Sequence, residues 1–195
     1  MNVFYLDSDP KTCAEMHLDK HCSKMLVEYA QLMSTAHRVC DGTEWYDKNK
    51  IGRKIKRWRV SANLEDVLYK ASHVNHPSNI WTRASSENYA WLYEMWSHLH
   101  EEFKLRYGKE HLSYTKLKEV LQYPPINIDN TPFTQPTQAM PDDVKEVDVI
   151  KVGNRRIISP SGTGWDEWFE CGNVTDDFMI ERNQPEVQSR ESLDD

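Results

Sequence analysis

Signatures of catalysis are what this 195-residue sequence most obviously lacks. It has no GxxxxGK[ST] loop, no GxGxxG, no HExxH, no GxSxG and no CxxC. These absences exclude the common phosphate-loop, dinucleotide, zinc-protease and serine-hydrolase designs. Its four cysteines, Cys13, Cys22, Cys40 and Cys171, are scattered. That is too sparse for a disulfide framework and is the usage of a chain kept reduced in a cytosol. No apolar run approaches the ~20 residues of a membrane span, so no membrane partner is expected. The opening MNVFYLDSDP has no basic segment followed by an apolar one, the pattern of a signal peptide. No internal repeat is visible.

What is present points to a folded protein. Hydrophobic residues make up 38% of the chain and there are seven tryptophans, enough for a core in one domain with or without a tail. The net charge of −7 is uneven, +2 over residues 1–125 and −9 over 126–195. Acidity therefore belongs to the C-terminal third and leaves the front free to meet an anion.

The segment Asp9–Val39 carries the clearest pattern. At helical pitch, Leu18, Cys22, Met25, Tyr29, Leu32 and Ala36 form a core stripe. One step behind, His17, His21, Lys24, Glu28, Gln31 and Thr35 form a polar stripe beside it. A solvated face would repeat Lys, Glu and Arg, and a Lys24–Glu28 pair is ordinary surface chemistry. Two imidazoles, an amine, a carboxylate and an amide instead suit a cleft, so His17, His21, Lys24 and Glu28 are the candidate catalytic residues. His17 and His21, four residues apart, have metal-ligand spacing, and His73 or His76 with an acid would complete the set. Glu28 lies ~10 Å from His21 along the axis, and no metal is assigned. Asp9 as N-cap, Pro10 at the first helical position and Asp41-Gly42 at the end bound one long helix.

Between Lys48 and Arg59 the run KNKIGRKIKRWR holds seven cations in twelve residues. It reads either as a phosphate or nucleic-acid footprint or as a solvated loop or helix end. Arg53, Lys54 and Arg57, with Arg83 beside Trp81, are the candidate phosphate-binding residues. His76 lies in the turn before Pro77, which opens a helix through Arg83. A second long helix follows from Ser85 to Tyr107, stopped by Gly108, and a shorter one covers Leu112–Leu121. The proline-pinned segment Thr131–Pro141 reads as a strap over the core or as a lid whose amides read a base edge. Gln135 and Gln138, with His76, are the substrate-contact candidates. Val147–Ile158 has the alternation of a β-hairpin turning at Gly153-Asn154. Trp165, Trp168 and Phe169 are expected to dock onto the body.

Three stretches carry a family resemblance: the opening MNVFYLDSDPKTCAEMHLDKHCSKMLVEYAQ, the central HPSNIWTRASSENYAWLYE, and PPINIDNTPFTQPTQAMP. They resemble a family of small tailed-bacteriophage proteins over residues 1 to about 142. The resemblance implies a phage protein made in the host cytoplasm and serving DNA or nucleotide metabolism. It carries over no catalytic residue.

The expected architecture is a mainly α single domain on two long helices, with a short N-terminal strand and a minor C-terminal hairpin. Residues 1–142 would be the functional body, 143–180 the hairpin and aromatic docking segment, and 181–195 a flexible acidic tail. The expected function is an enzyme acting on a nucleotide or DNA base, through base modification or excision, with His-centred acid/base chemistry. The alternative is a non-catalytic binder that sequesters a nucleotide signal or a host protein. The expected partner is a nucleotide or nucleic acid.

Overall fold

The computed structural model describes residues 2–48, 50–136, 147–152 and 155–160. Gln138, the turn at Gly153-Asn154, the docking segment beyond Pro160 and the tail 181–195 lie outside the described residues. The fold is mainly α. Among the described residues the order is α1 (Pro10–Glu15), α2 (Asp19–Asp41), β1 (Thr43–Lys48), β2 (Lys54–Arg59), α3 (Ala62–Glu65), α4 (Pro77–Ala84), α5 (Ser86–Tyr107), α6 (Leu112–Leu121), β3 (Val147–Val152) and β4 (Arg155–Pro160).

The core forms where α2 and α5 meet, with α1, α4 and α6 around them. Cys22, Met25, Tyr29, Leu32 and Ala36 of the α2 stripe are buried against Tyr89, Leu92, Trp96, Leu99 and Phe103 of α5. Polar atoms inside this packing are paired. Trp96 Nε1 donates to Leu26 O at 2.8 Å. Tyr89 Oη accepts from His37 Nε2 at 2.9 Å and donates to Leu121 O at 3.0 Å, which ties α2, α5 and α6 together. Caps set the helix starts: Asp9 for α1, His76 for α4, Ser85 for α5 and His111 for α6. Gly108, at φ 66°, ends α5 in the left-handed region that glycine enters freely.

The expected architecture needs correction in three places. Asp9–Val39 is not one helix. It breaks at Met16–Leu18 because the Arg106 guanidinium takes the carbonyls of His17 and Glu15, at 2.6 and 3.1 Å. Val3–Leu6 is not a strand. Phe4 N donates to Tyr29 Oη and Leu6 N to Cys13 Sγ, so side chains take the donors a ladder would use. The basic run is no helix end, and only its middle is loop. It is the end of β1, the turn through Gly52 and the whole of β2 (Lys54–Arg59) in an antiparallel hairpin whose register runs from Thr43↔Arg59 to Lys48↔Lys54. Among the described residues six helices and two antiparallel hairpins replace the expected two-helix frame.

The segment after α6 runs over the core as a strap. Ser86 N donates to Asp129 O, Phe133 N to Glu87 and Thr134 N to Asn88 Oδ1. Trp81 Nε1 donates to Thr134 O at 2.6 Å, and Phe133 packs against Trp81 and Trp91. Among the described residues no helix is long and apolar enough to cross a membrane.

Candidate functional site

His17 was expected to line one cleft with His21, Lys24 and Glu28; the fold closes over it. The break between α1 and α2 turns its ring inward, leaving it 1% exposed. Nδ1–H donates to Cys13 O and Nε2 accepts from Tyr29 Oη, both at 2.8 Å. Burial drives its pKa down to about 4. With both nitrogens used, the ring fixes the N-terminal segment and has no lone pair for a substrate or metal. Among the described residues no cluster of three metal-ligating side chains occurs.

His21, Lys24 and Glu28 do share a face of α2. The His21 ring stacks on Phe4 with centroids 4.9 Å apart, and Lys24 Nζ lies 3.5 Å from Glu28. Burial lowers the His21 pKa, Lys24 lowers it further, and Glu28 pulls it back. Glu28 likewise opposes the fall that burial causes at His76. The start of α4 therefore brings His76 toward this face. There its Nδ1 accepts from Ser78 N at 3.2 Å, which commits it as a helix cap. Arg83 donates one of its N–H groups to Val74 O at 2.7 Å, and Gln135 is exposed at the end of the strap.

Arg53, Lys54 and Arg57 do not join the His21 face. The hairpin starts about 21 Å beyond Glu28 along α2. Their setting is the second surface of the protein. Lys54 lies over the Tyr46 ring at 3.8 Å, and Arg59 lies over Trp45 at 5.1 Å. Lys56 Nζ reaches Glu44 at 2.9 Å and Arg57 reaches Asp47 at 3.9 Å.

Behind the hairpin is a cavity of about 220 Å³, lined by Arg38, Trp45, Asp47, Arg57, Trp58 and Glu65 among others. Arg38 holds this end of the molecule together. From the last turn of α2 it donates to Tyr69 O, Trp58 O, Glu65 Oε2, Glu65 O and Leu68 O, at 2.7–3.1 Å. Its donors are saturated, so it positions the hairpin instead of offering itself to a ligand. Sequence reasoning missed Arg38, Trp45, Tyr46 and Glu65. The signal for the two aromatics was their strand preference ahead of the turn at Gly52, at φ 77°.

On one side His17 is closed off inside the fold, and on the other the hairpin exposes a ladder of cations and rings. The chain belongs to the VapB antitoxin family. It is 46% identical to the antitoxin VapB of Salmonella typhimurium (strain LT2) over 69 residues, covering 92% of that protein and 31% of this chain. It is 56% identical over 55 residues to the antitoxin VapB of Shigella flexneri, 73% of that protein and 28% of this chain. The same identity and coverage hold for a protein of the traD–traI intergenic region of Escherichia coli (strain K12). No family model and no solved structure matches the chain. The relatives correct the expectation of a nucleotide- or base-modifying enzyme. Two of them are named antitoxins, and with that the expected DNA-modification role and the nucleotide or nucleic-acid partner fall together.

Proposed function

We propose that this protein is an antitoxin that neutralises a protein toxin by occupying it. The observation that carries this reading is the match to nearly the whole of the Salmonella antitoxin at 46% identity. Under a third of the chain takes part in each match. We assign that share to the acidic C-terminal third. Pro141–Asp195 is 55 residues long, the length of the two shorter matches. Its composition also changes there, and residues 1–142 carry the separate phage-like pattern. In this reading the helical body presents an arm whose Trp165, Trp168, Phe169 and Phe178 are the anchors a protein interface needs, with carboxylates around them.

The test is growth rescue. The toxin that the Salmonella relative neutralises is induced in bacteria with and without the full chain. Rescue and co-purification are expected, and Trp168→Ala should weaken both at least tenfold. His21→Ala should leave both unchanged, because that ring's contact is a stack on Phe4. Neither rescue nor co-purification at matched expression would overturn the reading.

A further inference from the structure

We infer that the exposed face of the β1–β2 hairpin is an intramolecular dock for the acidic segment Trp165–Asp195 of the same chain. The register sets the hairpin's charge on one side. Side chains alternate along a strand, so Glu44, Tyr46, Lys48, Lys54, Lys56 and Trp58 share a face. All but Trp58 are exposed. Lys48 stands directly opposite Lys54, an arrangement that costs stability unless an anion lies across it. From Thr43 to Arg59 there are seven cations against Glu44 and Asp47. Those two acids are already drawn to Lys56 and Arg57.

The surface is also apolar in the way an interface core is. On this face Tyr46 is 52% exposed, with Lys54 over its ring and Lys56 over that of Trp58, and Ile51 at the tip is 81% exposed. Rings under cations form a platform that takes carboxylates from above and aromatic side chains from the side.

Charge complementarity selects the occupant. Trp165–Asp195 holds ten carboxylates against two arginines, with Trp165, Trp168, Phe169 and Phe178 among them. It is the most acidic stretch of the chain, and the hairpin is the most basic. Being tethered, it meets the hairpin at a high effective concentration without needing a tight contact. Docking needs no toxin. Its consequence for toxin binding rests on the proposed antitoxin role: the arm would be held on the body until a toxin displaces it.

The experiment is zero-length carbodiimide cross-linking of the full chain, which joins a lysine amine to a carboxylate only where they touch. An equal mixture of light and ¹⁵N-labelled protein is read by mass spectrometry. Links from Lys48, Lys54 or Lys56 to carboxylates between Asp166 and Asp195 are expected, in same-isotope pairs. Their yield should fall severalfold in 0.5 M salt, a range in which exposed charges about 10 Å apart are screened. Lys48→Glu with Lys54→Glu should abolish them, and Asp176→Lys with Asp177→Lys on that background should restore contact at the swapped charges. Mixed-isotope pairs would assign the face to a second copy and overturn the proposal. So would arm links spread evenly over exposed lysines such as Lys11 and Lys116. Links that form only after nuclease treatment, and vanish with an added DNA duplex, would assign the face to nucleic acid instead. No toxin is present, so failure here leaves the antitoxin reading standing.

Discussion

His17 shows how one side chain can be well placed in a pattern and closed off in the fold. Its two nitrogens bridge Cys13 O and Tyr29 Oη, and Tyr29 Oη also accepts from Phe4 N. The ring thus pins the N-terminal segment, the α1–α2 linker and α2 at one point. Burial lowers its folded-state pKa from 6.5 to about 4. The unfolded chain therefore binds a proton that the folded one refuses between those values. Stability from this ring is complete above pH 6.5, falls as pH drops, and is gone once pH passes about 4. The loss is on the order of 3 kcal/mol across that window. His37, His76, His100 and His111 are shifted in the same direction, mainly by burial, so they add to it. Urea unfolding at pH 7 and pH 4.5 should show this drop. His17→Gln should be less stable at pH 7 and show a shallower pH dependence.

At the scale of elements, the face shared by His21, Lys24 and Glu28 was legible in the sequence, but the break that takes His17 out of it was not. Periodicity reports which residues share a face only while the helix continues. What ends α1 is a tertiary contact: Arg106, 89 residues from His17, takes two carbonyls of the linker and ion-pairs with Glu102 at 2.7 Å. Nothing local in MHL announces that. Arg106→Met should therefore cost about 2–3 kcal/mol, the range for lost hydrogen bonds to a charged group. Hydrogen exchange should quicken at Met16–Cys22 first and leave α6 protected. Equal loosening of every helix would mean that Arg106 acts on the core and not on the linker. The caps and stops show the opposite case. Asp9, Ser85 and Gly108 act on their own turn of chain and were readable because their chemistry is local. The hairpin lay between. Its cations were counted correctly, but Trp45 and Tyr46, two residues with strand preference, sat just outside the run being counted.

Across the whole molecule, the body carries the positive charge and the arm the negative, and the two proposals meet there. If the arm rests on the hairpin, only the undocked fraction can take a toxin, and the apparent dissociation constant is the intrinsic one divided by that fraction. An arm docked about nine-tenths of the time would weaken the apparent affinity about tenfold, or about 1.4 kcal/mol. Lys48→Glu with Lys54→Glu removes two exposed cations opposite each other on the hairpin. Both side chains lie outside the core, so the melting temperature should stay within a few degrees. Toxin affinity should rise by up to the docked factor, and nearly all of the gain should be in the association rate. Salt separates this from a direct contact. In the native protein added salt frees the arm while weakening its own attraction to the toxin, so the two effects partly cancel. In the variant only the second remains, and affinity should fall more steeply with salt. Calorimetry of both proteins at 0.05 and 0.3 M salt measures the difference. A variant that binds the toxin more weakly than the native chain at low salt would show that the hairpin itself touches the toxin, and the competition would be wrong.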